Sequence, residues 1–250
     1  MSAPPRILAI AGSDSSGGAG IQADIKTITM LGGYAMTAIT AVTAQDTTGV
    51  HAVEALSPAM VAAQIDACAG DIGVDAIKIG MLGSPGIAEI VADRLARIEA
   101  PVVFDPVMVA TSGSILADAA TIASFERLMG LATLVTPNLP ELAALGGAGA
   151  LAGKGFTFLA KGGDAEGPVV EDRLTRPGVE DCVWRGDKIE TRHNHGTGCT
   201  LSSAIALFLA RGQDLERAIT DARLFVRKAL LKAPGFGQGH GPLGHQEVKL

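Results

Sequence analysis

The sequence predicts an α/β fold with a central, mostly parallel sheet that helices flank on both faces. Short apolar segments, typical of buried strands, alternate along the chain with segments whose apolar residues have helical spacing. The strand segments are apolar almost throughout, as strands are when both of their faces are covered. The length of 250 residues suits one such unit, so we expect a single domain over residues 1–250.

The first part of the chain alternates regularly between the two kinds of element. A glycine-rich loop at residues 12–20 joins the first strand to the first helix. Ser57 suits the N-cap of the second helix, and Pro58 suits its first turn. In chain order we predict a strand at 6–11, a helix at 21–31, a strand at 35–44, a helix at 58–69, a strand at 76–79 and a helix at 85–98.

The pattern changes between residues 169 and 192. Short valine-rich pieces are separated there by turn-forming residues, so we predict a few antiparallel strands near the C-terminal third. The tail at 234–244 is rich in glycine and is predicted to be irregular. The remaining predictions are strands at 102–104, 134–135 and 156–160 and helices at 119–129, 140–145, 197–211 and 215–232.

Composition argues against several classes of protein. The net charge is −6 and the lysines and arginines form no cluster, which argues against nucleic acid as a partner. No apolar run reaches the roughly 18 residues of a membrane span, and the first apolar stretch is too short for the core of a signal peptide. Three scattered cysteines favour neither a disulfide framework nor a zinc site. We therefore expect a cytoplasmic protein that binds neither membranes nor nucleic acid.

A glycine-rich turn at residues 195–199 (His-Gly-Thr-Gly-Cys) leads directly into a predicted helix. The backbone N–H groups at a helix N-terminus have no partner within the helix and attract anions, so the turn is a candidate phosphate site. An ordinary turn with Thr197 as N-cap explains the same residues equally well. The chain has no Walker-type loop, because Gly153-Lys154 is followed by glycine.

Cys199 lies in the first turn of that helix. The helix dipole favours a thiolate at such a position, which predicts a lowered pKa and a side chain able to take a proton from a substrate hydroxyl. The alternative is a small buried thiol with no chemical role, which is the commoner fate of cysteine.

Polar side chains follow several predicted strands, at the edge of the sheet where α/β folds bind ligands. Asp105, Asn138 and Glu141 offer the oxygen ligands that Mg²⁺ prefers, although a helix-capping box formed by Asn138 and Glu141 is the local alternative. Lys161 could reach a phosphate, and Gln45 could bind the edge of a heterocycle. A solvated lysine and an exposed loop glutamine are the alternatives for these two residues.

Together these segments resemble the hydroxymethylpyrimidine/phosphomethylpyrimidine kinases of thiamine biosynthesis, within the ribokinase-like superfamily. The resemblance implies a ribokinase-like fold, ATP and Mg²⁺ as cofactors and a homodimer. It also implies two successive transfers from ATP, first to a pyrimidine alcohol and then to its monophosphate. The matching stretches run through most of the chain in the family's order, at residues 9–27, 40–49, 78–82, 105–108, 136–141, 161–163 and 195–203.

The resemblance also implies roles for individual residues, by their position in the matching stretches. The expected catalytic and anion-binding residues are Gly196, Thr197, Gly198, Cys199 as the base, and Lys161. The expected substrate contacts are Gly12, Asp24, Gln45, Met81 and Val107. The expected Mg²⁺ and phosphate ligands are Asp105, Asn138 and Glu141.

One departure from the family pattern lies between Glu141 and Phe156. Relatives usually have a long linker helix there, whereas this chain has a short segment made almost entirely of alanine, glycine and leucine. We therefore expect a peripheral helix to be shortened or absent.

Two other functions are compatible with the same fold. Pyridoxal kinase also phosphorylates a hydroxymethyl group on a heteroaromatic ring, and Gln45 favours the pyrimidine over it. A non-catalytic ligand-binding regulator is the second alternative, and the intact Cys199, Asp105, Glu141 and Lys161 argue against it.

Overall fold

One sheet of nine strands organises residues 3–248, the part of the chain that the computed structural model describes. The strands are β1 (Arg6–Asp14), β2 (Tyr34–Gln45), β3 (Val50–Ala55), β4 (Ala76–Ile79), β5 (Val102–Phe104), β6 (Leu134–Val135), β7 (Phe158–Ala160), β8 (Val169–Arg176) and β9 (Val179–Asp187). Their order in the sheet is β3-β2-β1-β4-β5-β6-β7-β8-β9. The strands from β2 to β7 in this order are parallel, which confirms the predicted mostly parallel sheet.

Except for α6, which the sequence does not predict, the helices begin and end close to the predicted positions. They are α1 (Gly20–Met30), α2 (Pro58–Ala67), α3 (Pro85–Leu95), α4 (Ala119–Leu131), α5 (Leu139–Ala144), α6 (Ala148–Gly153), α7 (Thr197–Ala210) and α8 (Leu215–Leu231). The predicted cap of α2 is confirmed, because the Ser57 side chain accepts a hydrogen bond from the Met60 N–H. Within residues 3–248, no helix combines the length and the apolar character needed to cross a membrane.

Helices cover both faces of the sheet because successive side chains of each buried strand point to opposite faces. Leu8 and Ile10 of β1 belong to one apolar core, to which α2 to α6 contribute. Ile7 belongs to the second core, to which α1, α7 and α8 contribute. The predicted arrangement of helices on both faces is confirmed.

Antiparallel strands lie at both ends of the sheet, and the sequence predicts only one of these ends. β8 pairs with β7 and β9 in antiparallel fashion, as expected for residues 169–192. At the opposite edge β3 pairs with β2, also antiparallel, and no strand is predicted there. β3 is exposed along nearly its whole length, so no alternation of apolar and polar residues marks it in the sequence.

The segment between Glu141 and Phe156 contains the end of α5 and the whole of α6, two helices of six residues each. Leu142 and Leu151 pack into the core, while most of the residues between them are exposed.

Candidate active site

A cavity of about 1270 Å³ opens at the carboxyl ends of the parallel strands. Gln45 ends β2, Asp105 follows β5 and Lys161 follows β7, and all three side chains line the cavity. The sheet brings them together because parallel strands end at a common edge. Of the residues that the resemblance assigns to the site, all except Asp24 line this cavity.

The turn before α7 requires glycine where the chain enters the helix. Gly196 has a φ of 86°, and a Cβ at this position would lie 1.9 Å from the carbonyl oxygen of Gly18. A Cβ on Gly198 would lie 3.2 Å from Lys161 Nζ, so the backbone at Gly198 faces this lysine directly. The N-terminus of a 14-residue helix and an ammonium group therefore meet at one point of the cavity, which suits an anion.

Lys161 lies between two buried carboxylates. Its Nζ is 2.6 Å from Asp105 Oδ1 and 4.0 Å from Glu141 Oε2. Burial alone would lower the pKa of Lys161, but Asp105 and Glu141 together raise it. Burial also raises the pKa of Glu141 to about 7, and Lys161 offsets only part of this rise. Two carboxylates thus share one lysine, and the site suits a further positive charge.

Asn138 and Glu141 form the capping box that is the local alternative to a metal site. Asn138 Oδ1 accepts a hydrogen bond from the Glu141 N–H, and Glu141 Oε2 accepts one from the Asn138 N–H, both at 2.8 Å. The capping box engages the only side-chain oxygen of Asn138 but one of the two carboxylate oxygens of Glu141, so Asp105 and Glu141 are the better candidates for binding a cation. No group of three or more His, Cys, Asp or Glu side chains within residues 3–248 is arranged to hold a metal. A cation at this site would therefore need further oxygens from a bound ligand.

Cys199 does not have the lowered pKa that its position in the helix predicts. Burial raises the pKa of the thiol to about 11; Lys78 opposes this rise, while Asp24 and Asp105 add to it. The cost of moving a thiolate away from water exceeds what Lys78 and a backbone hydrogen bond from Gly20 supply. The side chain is therefore a neutral thiol at neutral pH.

Alkylation should measure this raised pKa directly. Since the thiolate is the reactive form, iodoacetamide should modify Cys199 slowly near neutral pH and about tenfold faster with each further pH unit. Mass spectrometry of the Cys199 peptide, after brief labelling of the folded protein at several pH values, gives the rate. Fast labelling that does not change with pH above neutrality would contradict the raised pKa and restore the lowered one.

Asp24 lies beneath the cavity and does not line it. Its carboxylate oxygens lie 2.8 and 2.9 Å from Lys78 Nζ, and both side chains are fully buried. The Ser203 hydroxyl donates to the same carboxylate at 2.7 Å. The expected substrate contact of Asp24 is therefore wrong, because its carboxylate has no exposed surface. The carboxylate instead links α1 to Lys78 of β4 and Ser203 of α7.

Gly12, Met81, Gln45 and Val107 all line the cavity. A Cβ on Gly12 would lie 2.5 Å from Met81 Cε, so the thioether packs directly on the glycine backbone. The Gln45 amide lies 3.1 Å from Thr43 Oγ1 through one end and 3.3 Å from His195 Nε2 through the other. The wall therefore combines an apolar surface with one amide.

Asp14 and His195 also line the cavity, and the sequence assigns no role to either side chain. His195 Nε2 is 2.8 Å from Asp14 Oδ2, and both side chains are buried. Asp14 ends β1 and His195 immediately precedes Gly196, so each could have been singled out by its place next to a glycine-rich loop. Arg223 of α8 is a further cationic residue of the lining, paired with Asp172 at 2.6 Å.

Comparison with known proteins identifies the family. The family model described as phosphomethylpyrimidine kinase matches residues 14–244. A hydroxymethylpyrimidine/phosphomethylpyrimidine kinase of Streptomyces coelicolor is 43% identical over 256 residues, covering 97% of this chain and 94% of the relative.

Two solved structures show the same architecture. The pyridoxal kinase of Staphylococcus aureus, in complex with AMP-PCP and pyridoxal, superposes with a TM-score of 0.89 at 32% identity and covers 98% of this chain and 94% of its own. The phosphomethylpyrimidine kinase of Clostridium difficile superposes with a TM-score of 0.76 at 36% identity and covers 90% and 99%, respectively. This chain therefore belongs to the phosphomethylpyrimidine kinase family, within the ribokinase-like superfamily, and is a kinase.

Proposed function

We propose that this kinase transfers phosphate from ATP to 4-amino-5-hydroxymethyl-2-methylpyrimidine, and then to the resulting monophosphate, in thiamine biosynthesis. The observation that carries the proposal is that the turn before α7, Lys161, Cys199 and the Gln45 amide meet in one cavity. The first three suit phosphoryl transfer to a hydroxyl group. The amide suits the edge of an aminopyrimidine, which offers an amino donor beside a ring-nitrogen acceptor.

The backbone and the side chains of the cavity would have different roles in the transfer. Catalysis of phosphoryl transfer is mainly positioning and neutralisation of charge. The backbone N–H groups at residues 196–199 would hold the oxygens of the transferred group, and Lys161 would neutralise part of its charge. In its minor thiolate form, Cys199 would accept the proton of the substrate alcohol while the new P–O bond forms and the bond between the γ-phosphorus and the β,γ-bridging oxygen breaks, so that ADP leaves. In the second transfer the acceptor is an ionised phosphate, so a base is not required.

Mg²⁺ is part of the proposal, with Asp105 and Glu141 as its protein ligands. In nucleotide sites Mg²⁺ is typically bound by one or two carboxylates and by phosphate oxygens. The geometry supports this fit, because two buried carboxylates, Asp105 at 2.6 Å and Glu141 at 4.0 Å, lie around the single ammonium group of Lys161. When bound, the ion would neutralise charge on the nucleotide phosphates.

A homodimer and a cytoplasmic location complete the proposal. Tyr34 and Val42 of β2 and Val53 of β3 are each about half exposed at the β3 end of the sheet, and exposed apolar side chains of this kind could be covered by a second copy of the chain. A sedimentation experiment that returned the mass of one chain would remove the homodimer. The cytoplasm is proposed because the reaction consumes ATP.

A kinase assay on three acceptors tests the function. Pyridoxal kinase is the second candidate, since the Staphylococcus aureus pyridoxal kinase superposes with a TM-score of 0.89. The purified chain should phosphorylate the pyrimidine alcohol and its monophosphate with a higher kcat/KM than it phosphorylates pyridoxal. The opposite order would favour pyridoxal kinase, and consumption of none of the three would remove both candidates.

Gln45→Met should lower kcat/KM selectively for the aminopyrimidine. The variant leaves the substrate's paired donor and acceptor without partners in the cavity, which costs about 1–3 kcal/mol, or roughly 5- to 150-fold. Activity on pyridoxal should be spared or improved, because pyridoxal lacks that paired edge. Steady-state rates on both substrates provide the measurement.

Gln213→Met is the matched control for this change. It makes the same substitution at a glutamine outside the cavity lining and should leave both rates unchanged. If Gln45→Met lowers both activities equally, or neither, Gln45 does not set the substrate preference.

A further inference from the structure

The side-chain amide of Gln45 is held at both ends. One end lies 3.1 Å from Thr43 Oγ1 and the other 3.3 Å from His195 Nε2. The same His195 nitrogen is 2.8 Å from Asp14 Oδ2, and the other ring nitrogen is 3.3 Å from Thr111 Oγ1. His195 is buried, so these contacts define its hydrogen bonding.

Asp14 fixes which nitrogen of His195 carries a proton. Its carboxylate accepts hydrogen bonds from the backbone N–H groups of Ser16, Gly18 and Ala19. Burial alone would raise the pKa of Asp14, but its hydrogen bonds, first among them that from His195, hold it below the ordinary value. A carboxylate only accepts hydrogen bonds, so His195 Nε2 must be an N–H donor. In the neutral ring Nδ1 is then the acceptor for the Thr111 hydroxyl.

The proton on His195 in turn determines the orientation of the Gln45 amide. The two ends of an amide have nearly the same shape, so their hydrogen-bond partners decide which end is oxygen. With its nitrogen toward His195, Gln45 would set one donor against another. With its oxygen toward His195 it accepts the longer arm, at 3.3 Å, of the single Nε2–H that also donates to Asp14 at 2.8 Å, and its nitrogen donates to Thr43 Oγ1. The Thr43 hydroxyl can then donate to the Ser13 carbonyl, which lies 3.0 Å away.

We propose that His195 is a positioning residue that fixes the orientation of the Gln45 amide and thereby selects an amino- over an oxo-pyrimidine. In the fixed orientation Gln45 keeps one oxygen lone pair and one N–H free for the substrate, at defined places. An aminopyrimidine matches this pattern, whereas the 4-oxo analogue presents an acceptor beside an N–H donor, the reverse pattern. The inference rests on the proposed function, since it concerns how the same cavity recognises a pyrimidine.

Removing the hydrogen bond from His195 should let the amide turn over. The terminal torsion of glutamine is broad and roughly two-fold, so a 180° rotation exchanges oxygen and nitrogen without changing the shape of the side chain. Gln45 could then match either pyrimidine. The ratio of kcat/KM for the aminopyrimidine to kcat/KM for the oxopyrimidine should therefore fall, in addition to any loss of rate that affects both substrates.

The experiment compares kcat/KM for 5-hydroxymethyl-2-methylpyrimidine carrying either a 4-amino or a 4-oxo group. In His195→Leu the amino-to-oxo ratio should fall about 2- to 13-fold below that of the wild type, the factor expected for one hydrogen bond. His195→Gln can place an N–H close to where Nε2 lies and should restore most of the ratio. Thr43→Val removes the contact at the other end of the amide and should also lower the ratio. It therefore provides a test even if His195→Leu does not fold.

Three outcomes would overturn the inference. A folded His195→Leu variant that loses rate on both pyrimidines but keeps the wild-type ratio would show that His195 is merely structural. If His195→Leu does not fold, an unchanged amino-to-oxo ratio in Thr43→Val would show that the orientation of the Gln45 amide does not determine the preference. A wild type that phosphorylates neither pyrimidine would overturn the proposed function as well, so the two failures are distinguishable.

Discussion

Gly198→Val should abolish both phosphoryl transfers while leaving the protein folded. A Cβ at this position lies 3.2 Å from Lys161 Nζ and 3.4 Å from Asp105 Oδ2, and the two methyl groups of valine would extend further into the space between them. That space is where the N-terminus of α7 and the lysine converge on an anion. Loss of a preorganised anion contact costs about 10²- to 10³-fold in rate, and obstruction of the whole turn should cost at least as much.

The fold should survive because the backbone at Gly198 does not depend on glycine. Its φ is not positive, and the atoms nearest to the added carbon belong to the ends of two side chains. Gly130→Val in α4 is the matched control, since a Cβ there meets open space and both glycines are helical. Thermal unfolding and steady-state rates of both variants decide the matter. A folded Gly198→Val variant with near wild-type rates would remove the turn from the mechanism.

The fold could be predicted from the sequence wherever burial leaves a periodic pattern. The parallel strands and the long helices are buried on defined faces, so their apolar residues repeat with the period of the element. β3 has no buried face, and its pairing with β2 depends on contacts across the sheet edge that no local pattern records. α6 is similar, since Leu151 is its one buried residue.

The candidate site could be predicted where a residue's role follows from its place after a strand. Asp105, Lys161 and Gln45 all reach the cavity for this reason. The contact between Asp14 and His195 joins residues 181 positions apart, so it emerges only when the chain is folded. The same holds for Asp24 of α1. Its carboxylate forms an ion pair with Lys78 of β4 and is buried beneath the cavity.

The pKa of Cys199 depends on long-range structure in the same way. Its place in the first turn of α7 is visible in the sequence and favours a thiolate. The depth at which α7 packs is not visible, and burial raises the pKa to about 11. Lys78 lowers the pKa of the thiol and Asp24 raises it, so the buried pair favours a thiolate less than Lys78 alone would. The base proposed for the first transfer is therefore strong but scarcely ionised at neutral pH.

Cys199→Ala should lower the rate of the first transfer by a factor of about 10² to 10⁴, the usual contribution of a general base. The second transfer should fall much less, because its acceptor is a phosphate that is already ionised. Separate assays that start from the pyrimidine alcohol and from its monophosphate measure the two effects. Cys68→Ala, at a half-buried thiol outside the cavity lining, is the matched control and should change neither rate.

The dependence on pH distinguishes a base from a structural thiol. The pKa of Cys199 lies near 11, so the fraction of thiolate increases as the pH rises from neutrality toward that value. The first transfer by the wild type should therefore accelerate over this range, and the acceleration should be absent in Cys199→Ala and in the second transfer of either protein. Equal loss of both transfers in the alanine variant, with parallel pH profiles, would show that Cys199 shapes the anion-binding turn and does not accept the proton.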